Sequence, residues 1–323
     1  MKEFQLIQQI RQGISVSATD KLKSGVILGI GDDAAVVDVP AGFHLVAATD
    51  TLNAGIHFPA GTLPYDIAYK CLAVNLSDMA AMGAIPRWAL LSLSLPEAGQ
   101  QWVMSFIDGF NSLANIHGVV LIGGDTTHGP LSVSLTALGL VKPGLQLMRH
   151  GANPGDLLVV SGTVGGAARV LDLLQIEGDC KARPLLDRPV PRVELGQRLT
   201  GYASSCIDIS DGLLADLGHV LEASGCGAHI VLESLPGDEI LSGLENHQKW
   251  NYQLSGGDDY ELLFTLSPKH RDMLTTWSSQ SGVDLSVIGE IEEESGIRCK
   301  SSTGEVFDPE NSGFEHFQKN HES

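Results

Sequence analysis

Short apolar runs alternate along the chain with polar turns, and their spacing predicts a mixture of helices and strands. Residues 2–12 place apolar side chains at the period of a short amphipathic helix. Residues 102–114 and 213–223 also favour helices. Apolar stretches typical of strands occupy 43–48, 87–95, 119–122, 131–141, 157–161, 206–209, 260–266 and 285–291. This alternation favours α/β or α+β layering over a bundle or a sandwich.

The longest predicted helix carries one carboxylate on an apolar background. Pro64 suits the first helical turn and Gly83 provides a stop. Asp78 lies inside this helix and shares a face with Asn75, three residues before it. An isolated buried charge costs several kcal/mol, so we expect a positively charged partner for Asp78. Because the chain has 39 acidic but only 20 basic residues, a divalent metal ion is the natural candidate.

One arrangement recurs along the chain: a predicted strand or helix followed by glycine and one or two aspartates. It is found at 29–35, 123–127, 208–212 and 255–259. Any one of these turns is equally typical of an ordinary loop. Together with Asp50 and Asp78 they favour a site for several magnesium ions and a phosphate group, because Mg²⁺ prefers oxygen ligands on rigid element ends. There is no GxxxxGK[ST] sequence, which excludes a P-loop.

Composition narrows the function classes. The formal charge of −19 argues against nucleic acid and anionic membranes as partners. The five cysteines are scattered without a CxxC pair, which favours reduced thiols over a disulfide framework or structural zinc. The first residues lack an apolar signal core, and no apolar run approaches the roughly 20 residues that span a bilayer. We therefore expect a cytoplasmic protein of two domains, 1–150 and 151–323, divided where three turn signals coincide at 151–156.

Six motifs in order make the chain similar to a known family. They are GIGDDAAV, TDTLNAGIHF, LAVNLSDMAAMGA, LIGGDTT, IDISDGLLADLGH and SGGDDYELLF. The chain resembles the thiamine-monophosphate kinases, of the aminoimidazole ribonucleotide synthetase-like superfamily, from about residue 4 to about residue 317. The resemblance implies ATP-dependent phosphorylation of thiamine monophosphate to thiamine diphosphate. It also implies a two-domain α+β fold, a homodimer whose N-terminal sheets meet, and a C-terminal domain that completes the nucleotide and substrate site.

The same resemblance implies roles for individual residues. The Mg²⁺ ligands would be Asp33, Ala48 through its carbonyl, Thr49, Asp50, Asp78, Asp125, Asp208 and Asp211. Among these, Asp78, Asp125 and Asp208 would act in catalysis through the metal. ATP would contact Gly124, Asp125, Arg149 and Ser210, and thiamine monophosphate would contact His57, Asp258 and Phe314. Asp258 stands where many relatives carry Glu, and Phe314 stands where Tyr or Trp is common. These differences are expected to affect the affinity for substrate before they affect the chemical step.

Three alternatives remain open from the residues alone. His57 is either a functional residue or a solvated loop histidine. Another ATP-using enzyme of the same superfamily would share most of these motifs, although residues 1–24 lack the reactive cysteine of a selenophosphate synthetase. A non-catalytic acidic metal-binding protein is a third reading, but the chain has no D-x-[DN]-x-[DN]-G loop.

Overall fold

The computed structural model describes residues 3–14, 24–97, 99–178, 180–309 and 313, with side chains from residue 7 onward. The chain divides into two compact units, Met1–Gln146 and Leu147–Ser323. Each unit is described by itself below.

A sheet organises the first unit. Its strands, in the order β3-β6-β4-β5 across the sheet, are β3 His44–Asn53, β6 Ser132–Val141, β4 Ile85–Leu95 and β5 Val120–His128. All neighbours are antiparallel except β4 and β5, which run parallel. A small antiparallel ribbon, β1 Val26–Leu28 and β2 Val36–Val37, contributes to an apolar cluster with Trp88 and Leu138.

Three helices of the first unit are described: α1 Glu3–Gly13, α2 Pro64–Ala81 and α3 Gln100–His117. Helix α2 begins at Pro64, as predicted, and Gly83 follows its end in a left-handed conformation at φ 65°. Its buried face includes Leu72, Leu76 and Met79, none of them exposed at all. Burying each such side chain contributes roughly 2 kcal/mol, so packing rather than capping accounts for the stability of α2.

The prediction that the chain breaks into a loop at 123–127 is wrong. Strand β5 continues through these residues to His128 and pairs with β4 along its length, with a register shift between Ala89 and Leu90. The ladder of main-chain hydrogen bonds outweighs the low strand propensity of Gly-Gly-Asp. Asp125 therefore projects from a strand and not from a flexible turn.

The second unit contains a larger mixed sheet. Its order is β12-β9-β11-β7-β10-β8, and the strands are β7 Leu157–Ser161, β8 Ala203–Asp208, β9 Gly227–Val231, β10 Leu262–Leu266, β11 Leu285–Glu292 and β12 Gly296–Lys300. Within this sheet, only the β9–β12 pair is parallel among the described strands. Every residue of β7 and β10 is buried, which agrees with their continuous apolar sequences.

The helices of the second unit surround this sheet's core. They are α4 Gly166–Glu177, α5 Pro184–Asp187, α6 Val193–Leu199, α7 Leu213–Ser224, α8 Asn246–Ser255 and α9 Met273–Ser281. Short 3-10 turns occur at Leu232–Ser234, Glu239–Leu241 and Pro268–His270. Leu217 of α7 and Leu254 of α8 pack fully buried in the main apolar cluster. Helices on largely antiparallel sheets confirm the predicted α+β class.

The described helices include none with the length and hydropathy needed to cross a bilayer.

Candidate functional site

Asp50 and Asp78 lie against each other in the first unit. Asp50 is carried by β3 and Asp78 by α2, and their carboxyl groups are joined by a hydrogen bond. Burial raises the pKa of Asp50, while the bond to Asp78 and the charge of His57 act in the opposite direction. Asp78 is partly rather than fully buried, and one partner of its carboxyl group is a second acid, Asp50. Two adjacent carboxylates need a shared proton or a cation between them.

Asn75 adds a buried oxygen on the same face of α2 as Asp78. Its side chain is fully buried, and its Nδ2 donates to the Cys71 carbonyl at 3.0 Å. Its Oδ1 has no hydrogen-bond partner within the part of the chain that the structure describes. An orphaned buried carbonyl oxygen is costly and belongs to the ligand type that Mg²⁺ accepts. The oxygen-rich residues around Asp78 therefore fit a hard divalent cation.

His57 is fixed in a turn that follows β3. Its Nδ1 accepts the Asn53 N–H at 3.0 Å, so the neutral ring carries its proton on Nε2. The His57 carbonyl accepts a hydrogen bond from Nζ of Lys70 at 3.1 Å, and Lys70 is only 1% exposed. His57 therefore lies close enough to Asp50 to act on its carboxyl group, and its contact with a substrate stays a prediction.

A small cleft adjoins the middle of β5, at Gly124 and Asp125. One wall is apolar and includes Ile7, Ile30 and Leu121. A Cβ on Gly124 would lie 1.8 Å from the Leu91 carbonyl oxygen, and its φ is 146°, so only glycine permits this approach of the two strands. Apolar walls beside a polar edge are typical of small-molecule sites.

The acidic turn after β1 has a cation beside it that the sequence analysis missed. Asp33 is exposed, and its N–H donates to Oδ1 of Asp32 at 2.9 Å. A Cβ on Gly31 would stand 2.7 Å from Nη1 of Arg11, so the guanidinium of α1 lies against this turn. Arg11 and Gly31 are 20 residues apart, and no sequence pattern links them, so the sequence gives no signal for this contact.

Ala48 and Thr49 occupy consecutive positions of β3, so their side chains point to opposite faces of the sheet. The Thr49 hydroxyl pairs with Thr136 at 3.0 Å and reaches the Leu135 carbonyl at 3.1 Å. Asp50, the next residue, again faces the side of Ala48. Any contribution of Thr49 to the same cation as Asp50 must therefore come from its main chain.

In the second unit, Asp208 and Asp211 lie close enough to Asp216 to act on its charge. Asp216 is 3% exposed, and its Oδ2 accepts the N–H groups of Ser210, Asp211 and Gly212 at 3.0, 3.1 and 3.2 Å. Burial, followed by the charges of Asp208 and Asp211, raises the pKa of Asp216 to about 7. Asp216 thereby shapes the turn that carries two predicted site residues.

The remaining predicted residues of the second unit are placed as follows. The N–H of Asp258 donates to the Ser210 carbonyl at 2.8 Å, so these two are brought together. Arg149 is exposed and follows Met148, whose carbonyl accepts the Cys206 N–H at 2.9 Å, on the strand that ends at Asp208. Phe314 lies outside the described residues.

Acidic residues among the predicted metal ligands come together within each unit. Asp50 is joined to Asp78 in the first unit, and Asp208 lies near Asp211 and Asp216 in the second. Among the described residues, no set of three or more His, Cys, Asp or Glu side chains is preorganised to hold a metal ion. The full ligand set therefore stays a prediction.

Two helix starts of the second unit are occupied by carboxyl groups of the chain itself. Asp216 takes the N–H groups before α7, and Asp259 accepts the Gly165 N–H at 2.8 Å before α4. Helix starts are common phosphate sites, but these two are filled. A phosphate group at this end of the sheet must be neutralised by another means.

Several of these residues were missed from the sequence because they support others. Asp216 lies in the first turn of α7, where an acid is expected on dipole grounds alone. Glu261 is 5% exposed and pairs with Arg192, with Nε donating to Oε2 at 2.7 Å. Glu261 interrupts an apolar strand pattern, and this was the sequence signal that could have predicted a buried acid with a charged partner.

Comparison with known proteins covers both units. Residues 31–141 match the family described as AIR synthase related protein, N-terminal domain, and residues 153–301 match its C-terminal domain. The thiamine-monophosphate kinase of Escherichia coli (strain K12) is 43% identical over 323 residues, covering 98% of each chain.

Solved structures agree with this assignment. The thiamine-monophosphate kinase of Stenotrophomonas maltophilia K279a is 45% identical, with a TM-score of 0.85 over 93% of this chain and 96% of its own. AaThiL, solved with AMPPCP and TMP, is 32% identical, with a TM-score of 0.75 over 98% of this chain and 97% of its own. The two-domain fold of AIR synthase-related proteins, expected from the motifs, is thereby confirmed.

Proposed function

Since the chain belongs to the thiamine-monophosphate kinase family of AIR synthase-related proteins, we propose that it transfers the γ-phosphoryl group of ATP to thiamine monophosphate. The product is thiamine diphosphate. The observation that carries this proposal is the similarity over almost the whole chain to AaThiL, which was solved with AMPPCP and TMP together. In that structure AMPPCP stands in for ATP, the phosphoryl donor, and TMP is the acceptor, so the two partners of such a transfer are represented.

The chemistry suits the side chains present. The nucleophile is a phosphate oxygen of thiamine monophosphate, which is already ionised at neutral pH, so no strong general base is required. The difficulty is repulsion, because two polyanions must meet in a protein whose formal charge is −19. Alignment and charge neutralisation supply most of the rate in phosphoryl transfer.

Several Mg²⁺ ions are proposed to provide that neutralisation. Mg²⁺, when bound, would supply positive charge that offsets the charge of the phosphate groups and of the transition state. In the first unit Asp50 and Asp78 would hold it, with Asp33, Asp125 and the main chain at Ala48 and Thr49 as further ligands. Asp208 and Asp211 are the proposed ligands of the second unit. The adjacent carboxyl groups of Asp50 and Asp78 and the orphaned Asn75 oxygen support this assignment.

Other residues are proposed to bind the organic substrates. Gly124, Asp125, Arg149 and Ser210 would contact ATP, and the apolar wall of the Gly124 cleft suits a flat base. His57, with its proton on Nε2, would donate to thiamine monophosphate. Asp258 and Phe314 would face the cationic thiazolium ring, since a carboxylate and an aromatic face both attract a cation.

A cytoplasmic homodimer completes the proposal. Ile27, Val36 and Leu45 are large apolar side chains of the first unit that are 71%, 46% and 48% exposed. Large exposed apolar side chains on a sheet and its neighbouring ribbon support a protein interface there. A second copy of the chain, meeting this one through the N-terminal sheets, is the proposed partner.

One experiment separates the proposal from its alternatives. The purified protein is given Mg-ATP with thiamine monophosphate or with free thiamine, and thiamine diphosphate is measured chromatographically. Product is expected with the monophosphate. Binding of Mg-ATP in a calorimeter without any product would indicate another ATP-using enzyme of the superfamily, and metal uptake that ignores ATP would indicate a non-catalytic metal-binding protein.

A further inference from the structure

The segment from Asp258 to Glu261 has an unusual main chain just before β10. Asp258 and Tyr260 adopt left-handed conformations, with φ of 69° and 51°. They are the non-glycine residues with positive φ within the described chain. Side chains rarely adopt this conformation because it crowds the Cβ atom, and it persists only where the surroundings impose it.

Main-chain hydrogen bonds hold one side of this segment. Strands β8 and β10 pair up to Asp208 and Leu262. Beyond that pair, the Tyr260 N–H donates to the Ile209 carbonyl and the Asp258 N–H donates to the Ser210 carbonyl, both at 2.8 Å. The distorted ladder therefore links the residue proposed to face thiamine monophosphate with the turn proposed to contact ATP.

Side chains hold the other side. The Asp259 carboxyl accepts N–H groups of Gly165 and Ala167, at the start of α4. Glu261 accepts a hydrogen bond from the Ser161 hydroxyl at 2.5 Å and pairs with Arg192. The segment is thus anchored to the β7–α4 connection at two alternate residues, and the residues between and before them carry the positive φ.

We propose that Asp259 is a positioning residue, which through the N–H groups of Gly165 and Ala167 holds Asp258 in the left-handed conformation that presents its carboxylate to thiamine monophosphate. This inference rests on the proposed function of Asp258. The Ser210 turn has its own support in Asp216. Loss of Asp259 should therefore affect the thiamine monophosphate side more than the ATP side.

The first test does not depend on activity. Amide hydrogen exchange is compared between wild type, Asp259→Ala, Asp259→Asn and Asp187→Asn. In Asp259→Ala, exchange of the Asp258 and Tyr260 amides should quicken by about tenfold, whereas Phe264 in β10 should stay protected. The control, Asp187, is a 2% exposed acid of the same unit, paired with Arg183 and remote in sequence from this segment.

The second test uses steady-state kinetics. Loss of hydrogen bonds to a carboxyl group predicts a KM for thiamine monophosphate raised by about tenfold in Asp259→Ala. The KM for ATP and kcat should stay within about threefold. Asp259→Asn keeps one acceptor oxygen, so its KM for thiamine monophosphate should lie between those of wild type and Asp259→Ala. Asp187→Asn should leave both KM values unchanged.

A double variant sharpens the result. If Asp259 acts through Asp258, Asp258→Ala with Asp259→Ala should raise the KM no further than Asp258→Ala alone. Wild-type exchange and wild-type KM in the variants that fold, or equal changes in both KM values, would overturn the inference. An inactive wild-type enzyme would instead overturn the proposed function, while the exchange comparison would still decide the structural role of Asp259.

Discussion

The side chains of Asp50 and Asp78 share a hydrogen bond in a chain with a large excess of acids. At the scale of single residues, this pair is the clearest sign of a bound cation, because carboxylates normally avoid each other in partly buried positions. The buried oxygen of Asn75 lies on the same helix face. We therefore propose that Asp78 is a metal ligand and not a proton acceptor.

Asp78→Asn is expected to lower kcat by about a thousandfold or more, since metal-mediated charge stabilisation is worth several kcal/mol. The fold should persist, because Asn keeps the shape of the side chain and removes a repulsive charge. Turnover at saturating Mg²⁺ and the melting temperature are the measurements. Asp108→Asn, on the exposed surface of α3, is the control and should retain full activity. Near-wild-type turnover of Asp78→Asn would contradict the ligand role.

The buried carboxyl group of Asp259 should make the stability of the fold depend on pH. Burial raises its pKa well above the usual value near 3.8 in the folded state. The folded state then keeps a proton that the unfolded state has released, so the associated stability is fully present below about pH 4 and is lost as the pH rises through the folded pKa. The free energy of unfolding of wild type should fall relative to that of Asp259→Asn above pH 4. Denaturant titrations across pH check this, and a pH-independent difference would contradict it.

The sequence alone identified acidic site residues but not the residues that hold them in position. Asp78, Asp50 and the Asp208–Asp211 turn were recognised because they interrupt apolar patterns or follow glycine. Asp216 and Asp259 were missed because their partners are main-chain N–H groups, which leave no residue pattern. Arg11 was missed because its contact with Gly31 depends on tertiary packing.

At the scale of elements, the local signals worked where they were strongest. Pro64 and Gly83 delimit α2, and the apolar run at 157–161 is strand β7. The local signals gave the wrong strand boundaries at two of the glycine-aspartate motifs. Residues 123–127 belong to β5 because β4 pairs with them, and 260–261 lie outside β10 because the ladder is distorted there. Tertiary pairing outweighed local propensity in both cases.

Gly124→Ala tests how closely β5 must approach β4. The added Cβ would lie 1.8 Å from the Leu91 carbonyl oxygen and require an unfavourable φ. We expect a loss of about 3 kcal/mol in the free energy of unfolding, together with weaker ATP binding, measured by thermal denaturation and calorimetry. Gly218→Ala is the control, because its Cβ would meet no atom within 4 Å and helix α7 should gain slightly from it. Equal stability of the two variants would contradict the close strand contact.

At the scale of the whole molecule, the acidic charge is consistent with the proposed chemistry. In the proposed reaction, carboxylates would hold the metal ions, and the cationic thiazolium ring would tolerate an acidic surrounding. The proposal also accounts for the helix starts that are filled by Asp216 and Asp259, because Mg²⁺ would neutralise the phosphate groups in their place. Membership of the family extends over both units.

The proposed homodimer predicts a change in mass on substitution of Leu45, which is 48% exposed on β3. A charge at an apolar interface is strongly unfavourable, so Leu45→Glu should yield monomers in sedimentation velocity. Ile176→Glu, at a 75% exposed position of α4, should leave the mass unchanged. A Leu45→Glu protein with the mass of wild type would place the interface elsewhere.

The transfer of label from ATP tests the central claim most directly. The protein is incubated with γ-labelled ATP, Mg²⁺ and thiamine monophosphate, and the labelled products are separated. The account predicts that the label appears in the terminal phosphate of thiamine diphosphate and that Asp78→Asn abolishes this transfer. Label found only in inorganic phosphate, or no labelled thiamine diphosphate with any divalent metal, would contradict it.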